Sequence, residues 1–164
     1  MGSRPYVATP QRRMRTVEAL ARRGIRVGVN VAPLIPGLGD EDMPSVLKAA
    51  ADAGAIRVNM LYLRLPGAVA TVFQERLRAA LPLRAEKILS RIREARGGKL
   101  NDPRWGARHT GEGPYAEAAM RLFETTAKRL GLATGCASMD GHTARDTFRR
   151  PPKKGDQLGL FGKI

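Results

Sequence analysis

The hydrophobic positions in the first part of the chain follow helical and strand spacing in turn. Two short runs of β-branched and aliphatic residues, 27–35 and 56–65, are each followed by a loop rich in Pro and Gly. Such runs predict buried strands. Helical spacing relates Met14, Val17, Leu20 and Ala21 before the first run, and Met43, Val46, Leu47 and Ala50 between the two. The predicted order is therefore α, β, α, β, with parallel strands joined by a right-handed connection.

Residues at the ends of the two helical segments support this interpretation. Thr9 is suited to cap the first helix, and Asp40 or Asp42 the second, because their side-chain oxygens can accept from backbone N–H groups. Gly24 and Gly54 follow the last apolar positions, where glycine can take the left-handed conformation that ends a helix. The boundaries of both helices are thus predicted from a few neighbouring residues.

After the second run the strand signals stop, and three further helices are predicted over 69–81, 83–96 and 115–130. Their expected buried faces are Val72, Phe73, Leu77 and Leu81, then Ile88, Leu89 and Ile92, then Ala119, Leu122, Phe123, Thr126 and Leu130. The segment 97–114 holds five glycines, two prolines and the only tryptophan. It predicts a long structured loop, and loops of that length are often functional.

The number of predicted strands is small for a closed fold. A parallel sheet needs cover on both faces and further partners at its edges, which two strands and their helices do not supply. We therefore expect the chain to be an α/β part of something larger. The predicted divisions are 1–82 for the part that contains the two strands, 83–132 for a helical extension, and 133–164 for a flexible basic tail.

The charge of the chain predicts a polyanionic partner. Twenty-nine Lys and Arg residues against 15 Asp and Glu give a formal net charge of +14. A potential of that sign gathers nucleic acid, although arginine-rich helices can also simply solvate their outer faces. In the glycine-rich loop, Lys99, Arg104 and Arg108 are candidates to grip phosphates, and Trp105 to stack on a base. The alternative is that Trp105 anchors the loop to the fold.

The number of cysteines and the hydropathy of the chain exclude several kinds of site and location. Cys136 is the only cysteine, so an intrachain disulfide is excluded, and a four-cysteine zinc site or an iron-sulfur cluster cannot be held by this chain alone. Two histidines, His109 and His142, do not supply a metal site, and none is predicted. Neither a membrane-spanning apolar run nor a signal-peptide core is present, so we expect a cytoplasmic location without membrane partners.

Three motifs carry a resemblance to a known family. In the combination PGLGDED, LRLPG and GGKLNDPRWG, the chain resembles the carboxy-terminal half of bacterial radical S-adenosylmethionine (SAM) proteins, the DNA repair photolyase-like group related to spore photoproduct lyase. The likeness spans Pro10 to Leu130 and continues to the terminal QLGLF. It implies a partial (β/α)6 barrel of the TIM type, whose fifth and sixth strands are the two predicted here.

The resemblance also implies cofactors that this chain would not hold by itself. The family binds a [4Fe-4S] cluster through a Cys-x-x-x-Cys-x-x-Cys loop after the first strand, and uses it to cleave SAM reductively to a 5′-deoxyadenosyl radical. That cysteine motif does not occur in the sequence. The chain is therefore expected to be a fragment of a lyase-like enzyme, inactive alone, whose amino-terminal barrel half is its missing partner.

Seven residues at the two strand ends correspond to the part of the family's site that contacts adenine. The end of the fifth strand packs an aliphatic side chain on the base, and the end of the sixth offers backbone groups to its edge. The matching positions are Leu34, Ile35, Pro36 and Gly37, and Leu63, Arg64 and Leu65. The alternative is that Ile35 and Leu65 are ordinary core residues.

The last residues form a separate linear motif. Gln157, Leu158, Gly159, Leu160 and Phe161 resemble the short peptide with which bacterial DNA polymerases and repair proteins dock on the sliding clamp. The alternative is a tail segment that folds back on the barrel. Two hypotheses follow, a fragment of a radical SAM enzyme that acts on nucleic acid, and a non-enzymatic basic module that binds nucleic acid or the clamp.

Overall fold

A computed structural model describes residues 7–102, 104 and 109–135 of the chain. It has an α/β fold, and the predicted α, β, α, β opening is confirmed. The elements in chain order are α1 (Pro10–Ala21), β1 (Gly28–Leu34), α2 (Met43–Asp52), β2 (Arg57–Tyr62), α3 (Val69–Ala80), α4 (Ala85–Glu94) and α5 (Pro114–Arg129). No helix in these ranges is both long and apolar enough to cross a lipid bilayer.

The two strands are parallel, as predicted, and form an open sheet. Their register sets Asn30 beside Asn59, and an irregularity follows between Val31 and Leu34. On the other side of β2, Ala133 makes a short parallel bridge to Arg57. The first residues after α5 therefore return to the sheet, although the sequence predicted a tail from residue 133.

The helix boundaries confirm some local predictions and correct others. The Thr9 hydroxyl accepts from Arg12 N at 3.3 Å, as expected of an N-cap. Asp42 occupies the N-cap position of α2, but its side chain makes no capping hydrogen bond. The predicted 83–96 helix is too long, because α4 begins at Ala85 and ends at Glu94. Leu83 stays 99% exposed in the turn that precedes it.

The hydrophobic core consists of two clusters. The first joins the strands to α2 and α5, and its largest members are Leu34, Met43, Leu47, Val58, Met60, Tyr62 and Phe123. The second joins α3 and α4 to the segment after β2 and contains Leu65, Leu77, Ala85, Ile88, Leu89 and Ile92. α1 contributes only half-buried residues to the first cluster, Met14 and Val17 among them.

Two residues predicted to lie on buried faces are exposed. Val72 of α3 is 54% exposed, and Leu122 of α5 is 44% exposed. Each residue belongs to a row of apolar side chains at helical spacing. The surface that its helix buries against the core is narrower than this row, so the residue at the margin stays exposed. Helical periodicity identifies a face without identifying what covers it.

The helices cover one face of the sheet only. Along β2 the side chains of Val58, Met60 and Tyr62 are buried, and those between them are half-buried. On β1, Val29 and Val31 are half-buried and pack against the first cluster, whereas Gly28 and Asn30 are exposed. The opposite face of the sheet and the outer edge of β1 meet no further strand within the described ranges. Within the described ranges the two strands and their helices thus leave one face of the sheet without cover, as the small number of predicted strands indicated.

Candidate ligand site at the carboxyl edge of the strands

The two loops that follow the strands leave the sheet at the same edge, because the strands are parallel and adjacent. A hydrogen bond from Leu63 N to Leu34 O, at 2.9 Å, joins the loops at their start. This carboxyl edge of the sheet is where ligands bind in parallel α/β folds. It also contains all seven positions for which the family resemblance implies contact with adenine.

The side chains at these positions differ in exposure. Leu34 is 1% exposed and Leu65 is 2% exposed, and they fill the first and second clusters respectively. Ile35 and Leu63 are half-buried beside the second cluster. Arg64 is exposed. A ligand at this edge would therefore meet the backbone at Leu34 and Leu65, and the side chain of Arg64.

The loop after β1 is a tight turn closed by an acidic side chain. Leu38 N and Gly39 N both donate to Ile35 O, at 3.0 and 3.1 Å. Gly37 N donates to Asp40 Oδ2 at 3.1 Å. Gly37 has a φ of +78°, and a Cβ there would lie 2.8 Å from Arg91 Nη1, so the turn requires glycine at this position. Asp40, predicted as a possible helix cap, holds the turn instead.

Asp40 also connects the turn to two distant helices. The Tyr115 hydroxyl of α5 donates to Asp40 Oδ2. Arg91 of α4 donates from Nη1 to the Tyr115 hydroxyl at 2.9 Å, and its guanidinium carbon lies 4.3 Å from the centroid of the ring. Asp40 is 9% exposed, and its other carboxylate oxygen, Oδ1, is buried without a hydrogen-bond partner. The three residues form one network that clamps the loop after β1 between α4 and α5.

Two further arginines bind backbone carbonyls at the same edge. Arg84 donates from Nη2 to Gly37 O at 2.9 Å. Arg96 is 5% exposed and donates from Nη1 to Thr110 O at 2.6 Å and from Nη2 to Leu63 O at 2.9 Å. Burial lowers the pKa of Arg96 from its usual value, and the charge of Asp102 opposes that shift. A guanidinium stays protonated in proteins, so a fixed positive charge lies under the end of β2.

Tyr62 lies at the end of β2, within the field of both Asp40 and Arg96. Burial raises its pKa to about 12, the charge of Asp40 adds to the rise, and that of Arg96 opposes it. Its hydroxyl donates to Ala116 O at 3.3 Å. A Cβ at Gly111 would lie 3.0 Å from Cε1 of its ring, so the glycine-rich loop packs directly on Tyr62. Tyr62 is a neutral phenol at physiological pH.

The described part of the glycine-rich loop is held by ion pairs. Arg104 donates to the buried Asp102 from its backbone N at 2.9 Å and from Nη2 at 2.6 Å, and to Glu112 Oε1 at 3.0 Å. These hydrogen bonds lower the pKa of Asp102 to about 2. Glu112 N donates to Ala95 O at 3.0 Å, which anchors the far end of the loop. Arg104 is thus engaged by two carboxylates.

The remaining sequence-predicted sites have different outcomes. Lys99 is exposed near the start of the loop. Trp105 and Arg108 lie outside the described residues, as do Cys136, His142 and the clamp motif of Gln157, Leu158, Leu160 and Phe161. Of the three residues predicted to bind phosphate, Lys99 and Arg104 are described and Arg108 is not.

Sequence reasoning missed the network of Asp40, Arg91 and Tyr115, and the role of Arg96. Nothing local connects Asp40 to Tyr115, which is 75 positions further along the chain. One available signal was the position of Arg91 in α4, three residues after the buried Ile88. A charged side chain beside an apolar stripe frequently has a partner on the neighbouring element.

The described residues contain no group of three or more His, Cys, Asp or Glu side chains arranged to hold a metal ion. Comparison of the chain with protein-family models, with curated proteins and with solved structures finds no match.

Proposed function

We propose that this chain forms the carboxy-terminal part of a radical SAM barrel of the DNA repair photolyase-like group. In this proposal β1 and β2 are the fifth and sixth strands of a partial (β/α)6 barrel. The observation that carries it is the one-sided sheet, with parallel strands, helices on one face, and an open opposite face and outer edge. A barrel has this arrangement, since its helices lie outside and each strand needs a neighbour on both edges.

The side chains on the open face suit the interior of such a barrel. Asn30 and Asn59 lie side by side there, Leu61 follows on the same face of β2, and Arg57 lies on this face at the start of the strand. Amides and aliphatic groups near the carboxyl edge are compatible with an enclosed polar cavity. Further strands would pair along the edge of β1 and enclose this face.

The carboxyl edge of the strands would then contribute to the SAM site. The half-buried Ile35 would contact a face of adenine, and the backbone at Leu63 to Leu65 its edge, as the resemblance implies, whereas Pro36 is buried. Arg96 supports that geometry, because its hydrogen bond to Leu63 O fixes the backbone after β2. Gly37 allows the close approach of the loop that carries Ile35 to α4.

The described residues do not fit the iron-sulfur cluster. No three-ligand group is present among them, and the chain has one cysteine. When bound in the family, the cluster supplies the electron that cleaves SAM. Its ligands would come from the upstream strands, and the residues of this chain would position the adenosyl end of SAM.

The test begins with the DNA directly upstream of the Met1 codon. A continuous or adjacent reading frame that encodes Cys-x-x-x-Cys-x-x-Cys is expected. The joined protein, reconstituted with iron and sulfide under anaerobic conditions and reduced with dithionite, should convert SAM to 5′-deoxyadenosine, measured by liquid chromatography. A matched variant with the three cysteines changed to alanine should form none. Absence of the motif, or a reconstituted protein that leaves SAM intact, would contradict the proposal.

The net charge of +14 favours a second candidate function, a non-enzymatic module that binds nucleic acid or the sliding clamp. Clamp docking is tested with the full chain and a bacterial sliding clamp by surface plasmon resonance. The double variant L160A/F161A should abolish binding, whereas the nearby K153A should not. Equal binding by all three proteins would show that QLGLF is not the docking motif.

A further inference from the structure

We infer that the outer face of α1 is a docking surface for the phosphate backbone of double-stranded nucleic acid. Residues 10–26 contain six arginines and one glutamate, a local charge of +5, and no lysine. All six arginines are exposed, namely Arg12, Arg13, Arg15, Arg22, Arg23 and Arg26. This inference does not depend on the radical SAM proposal, since it concerns a different surface.

Arg12 and Arg15 lie on the outer side of α1, and Arg22 and Arg23 follow in the turn at its end. Met14 and Val17, on the opposite side, pack against the first cluster. Arg12 and Arg23 are eleven positions apart, and the small exposed residues Thr16 and Ala19 lie between them. At 1.5 Å per residue the row is about 16 Å long. A strand of duplex DNA places about five phosphates along that length.

Three of the six arginines have partners within the protein. Arg22 pairs with Glu18 at 2.6 Å, Arg13 donates from Nε to Ala8 O at 3.2 Å, and Arg23 donates from Nη1 to Ala19 O at 3.5 Å. Among the described residues, no carboxylate lies within ion-pair distance of Arg12, Arg15 or Arg26. In contrast, Arg84, Arg91, Arg96 and Arg104 near the carboxyl edge of the sheet bind carbonyls, a tyrosine or carboxylates.

The charge pattern also opposes helix stability. The first turn of α1 contains Arg12 and Arg13 and no acidic residue. Cations near a helix N-terminus face the positive end of the helix dipole, and like charges three positions apart repel. Arg12 has both disadvantages, and Arg15, beyond the first turn, has the second. The charges at the start of α1 are therefore not explained by helix formation, and binding to an anion would remove their cost.

The side-chain chemistry selects the class of anion. Arginine presents paired N–H donors that match phosphate oxygens, which favours a phosphate polymer over carboxylate-rich proteins. Residues 10–26 include no aromatic side chain on which an unpaired base would stack. The apolar side of α1 is occupied by the core, so it is not free to enter a lipid bilayer. The partner that these side chains fit best is the phosphate backbone of a duplex, bound without regard to base sequence.

The test is fluorescence anisotropy of a short labelled DNA duplex of mixed sequence, titrated with the full chain at several salt concentrations. The triple variant R12Q/R15Q/R26Q should weaken binding about tenfold or more. It should also reduce the slope of log K against log salt by about 0.9 for each lost phosphate contact. The matched control R76Q/R121Q/R129Q removes the same charge from exposed positions on α3 and α5, and should change affinity by much less. Circular dichroism should give both variants the spectrum of the parent protein.

Three outcomes would overturn the inference. If the parent protein does not bind the duplex at low salt, the surface has no such function. If both triple variants lose the same affinity, binding is a diffuse effect of net charge. If α1 is required for binding to vesicles that contain phosphatidylglycerol but not to DNA, the phosphate partner is a lipid headgroup.

Discussion

Arg96 donates to the Leu63 carbonyl oxygen at 2.9 Å, and through its other terminal nitrogen to the Thr110 carbonyl at 2.6 Å. One buried side chain thus joins the end of β2 to the glycine-rich loop that packs on Tyr62. Without it the loop would keep its ion pair at Asp102 and the hydrogen bond from Glu112 N to Ala95 O. Arg96 therefore adds a direct link between the end of β2 and this loop to the anchors at Asp102 and Ala95.

Replacement of Arg96 by methionine should destabilise the protein. R96M keeps most of the aliphatic stem but leaves two carbonyl oxygens without their charged donor, which we expect to lower the free energy of unfolding by about 2 to 4 kcal/mol. Urea denaturation followed by circular dichroism measures it. R76Q, at an exposed position on α3, is the control and should be near neutral. Equal stabilities of R96M and the parent protein would contradict this role for Arg96.

The turn after β1 should tolerate alanine at Gly39 but not at Gly37. G37A forces an L-residue to a φ of +78° and sets its Cβ against Arg91, so we expect a loss of about 1 to 2 kcal/mol or more in unfolding free energy. Gly39 has a negative or extended φ and open space at its Cβ position, so G39A should be neutral or slightly stabilising. Thermal denaturation of both variants compares them directly. Equal melting temperatures of G37A and G39A would contradict this prediction.

The hydrogen bond between Tyr115 and Asp40 should be measurable as a coupling energy. Y115F keeps the ring under Arg91 and removes only the hydroxyl, at an expected cost of about 1 to 3 kcal/mol. In a double-mutant cycle with D40N, we expect a coupling above about 0.5 kcal/mol, because the two groups are in direct contact. Additive effects of the two substitutions would show that the hydroxyl and the carboxylate stabilise the loop independently.

Acid should release the glycine-rich loop through Asp102. The folded state holds the pKa of Asp102 near 2, below the value of about 3.9 for an unfolded chain. Its contribution to stability is therefore complete above about pH 5 and is lost progressively as the pH falls toward 2. D102N should lack this contribution at neutral pH and decline less steeply with acid, as measured by unfolding free energy against pH. D52N, a change in an exposed helical ion pair, is the control.

Local sequence signals were sufficient for much of the fold. The order of the first four elements, the cap at Thr9 and the helix ends at Gly24 and Gly54 each depend on residues within a few positions of one another. Interactions of such short range leave a pattern in the sequence. The ends of α4 were predicted less well, because neither Leu83 nor Arg96 differs in helix propensity from the residues inside the helix.

The sequence by itself determined which segments are helix or strand, that the two strands are parallel, and that arginine dominates the charge. Only the tertiary structure decided that Asp40 closes a turn and meets Tyr115, that Arg96 is buried between two carbonyls, and that Val72 and Leu122 are exposed. The physical reason is the distance along the chain between partners. The helical period can be recognised from residues that are close together in the sequence. The burial of a side chain and its hydrogen-bond partners depend on segments that come together only when the chain folds.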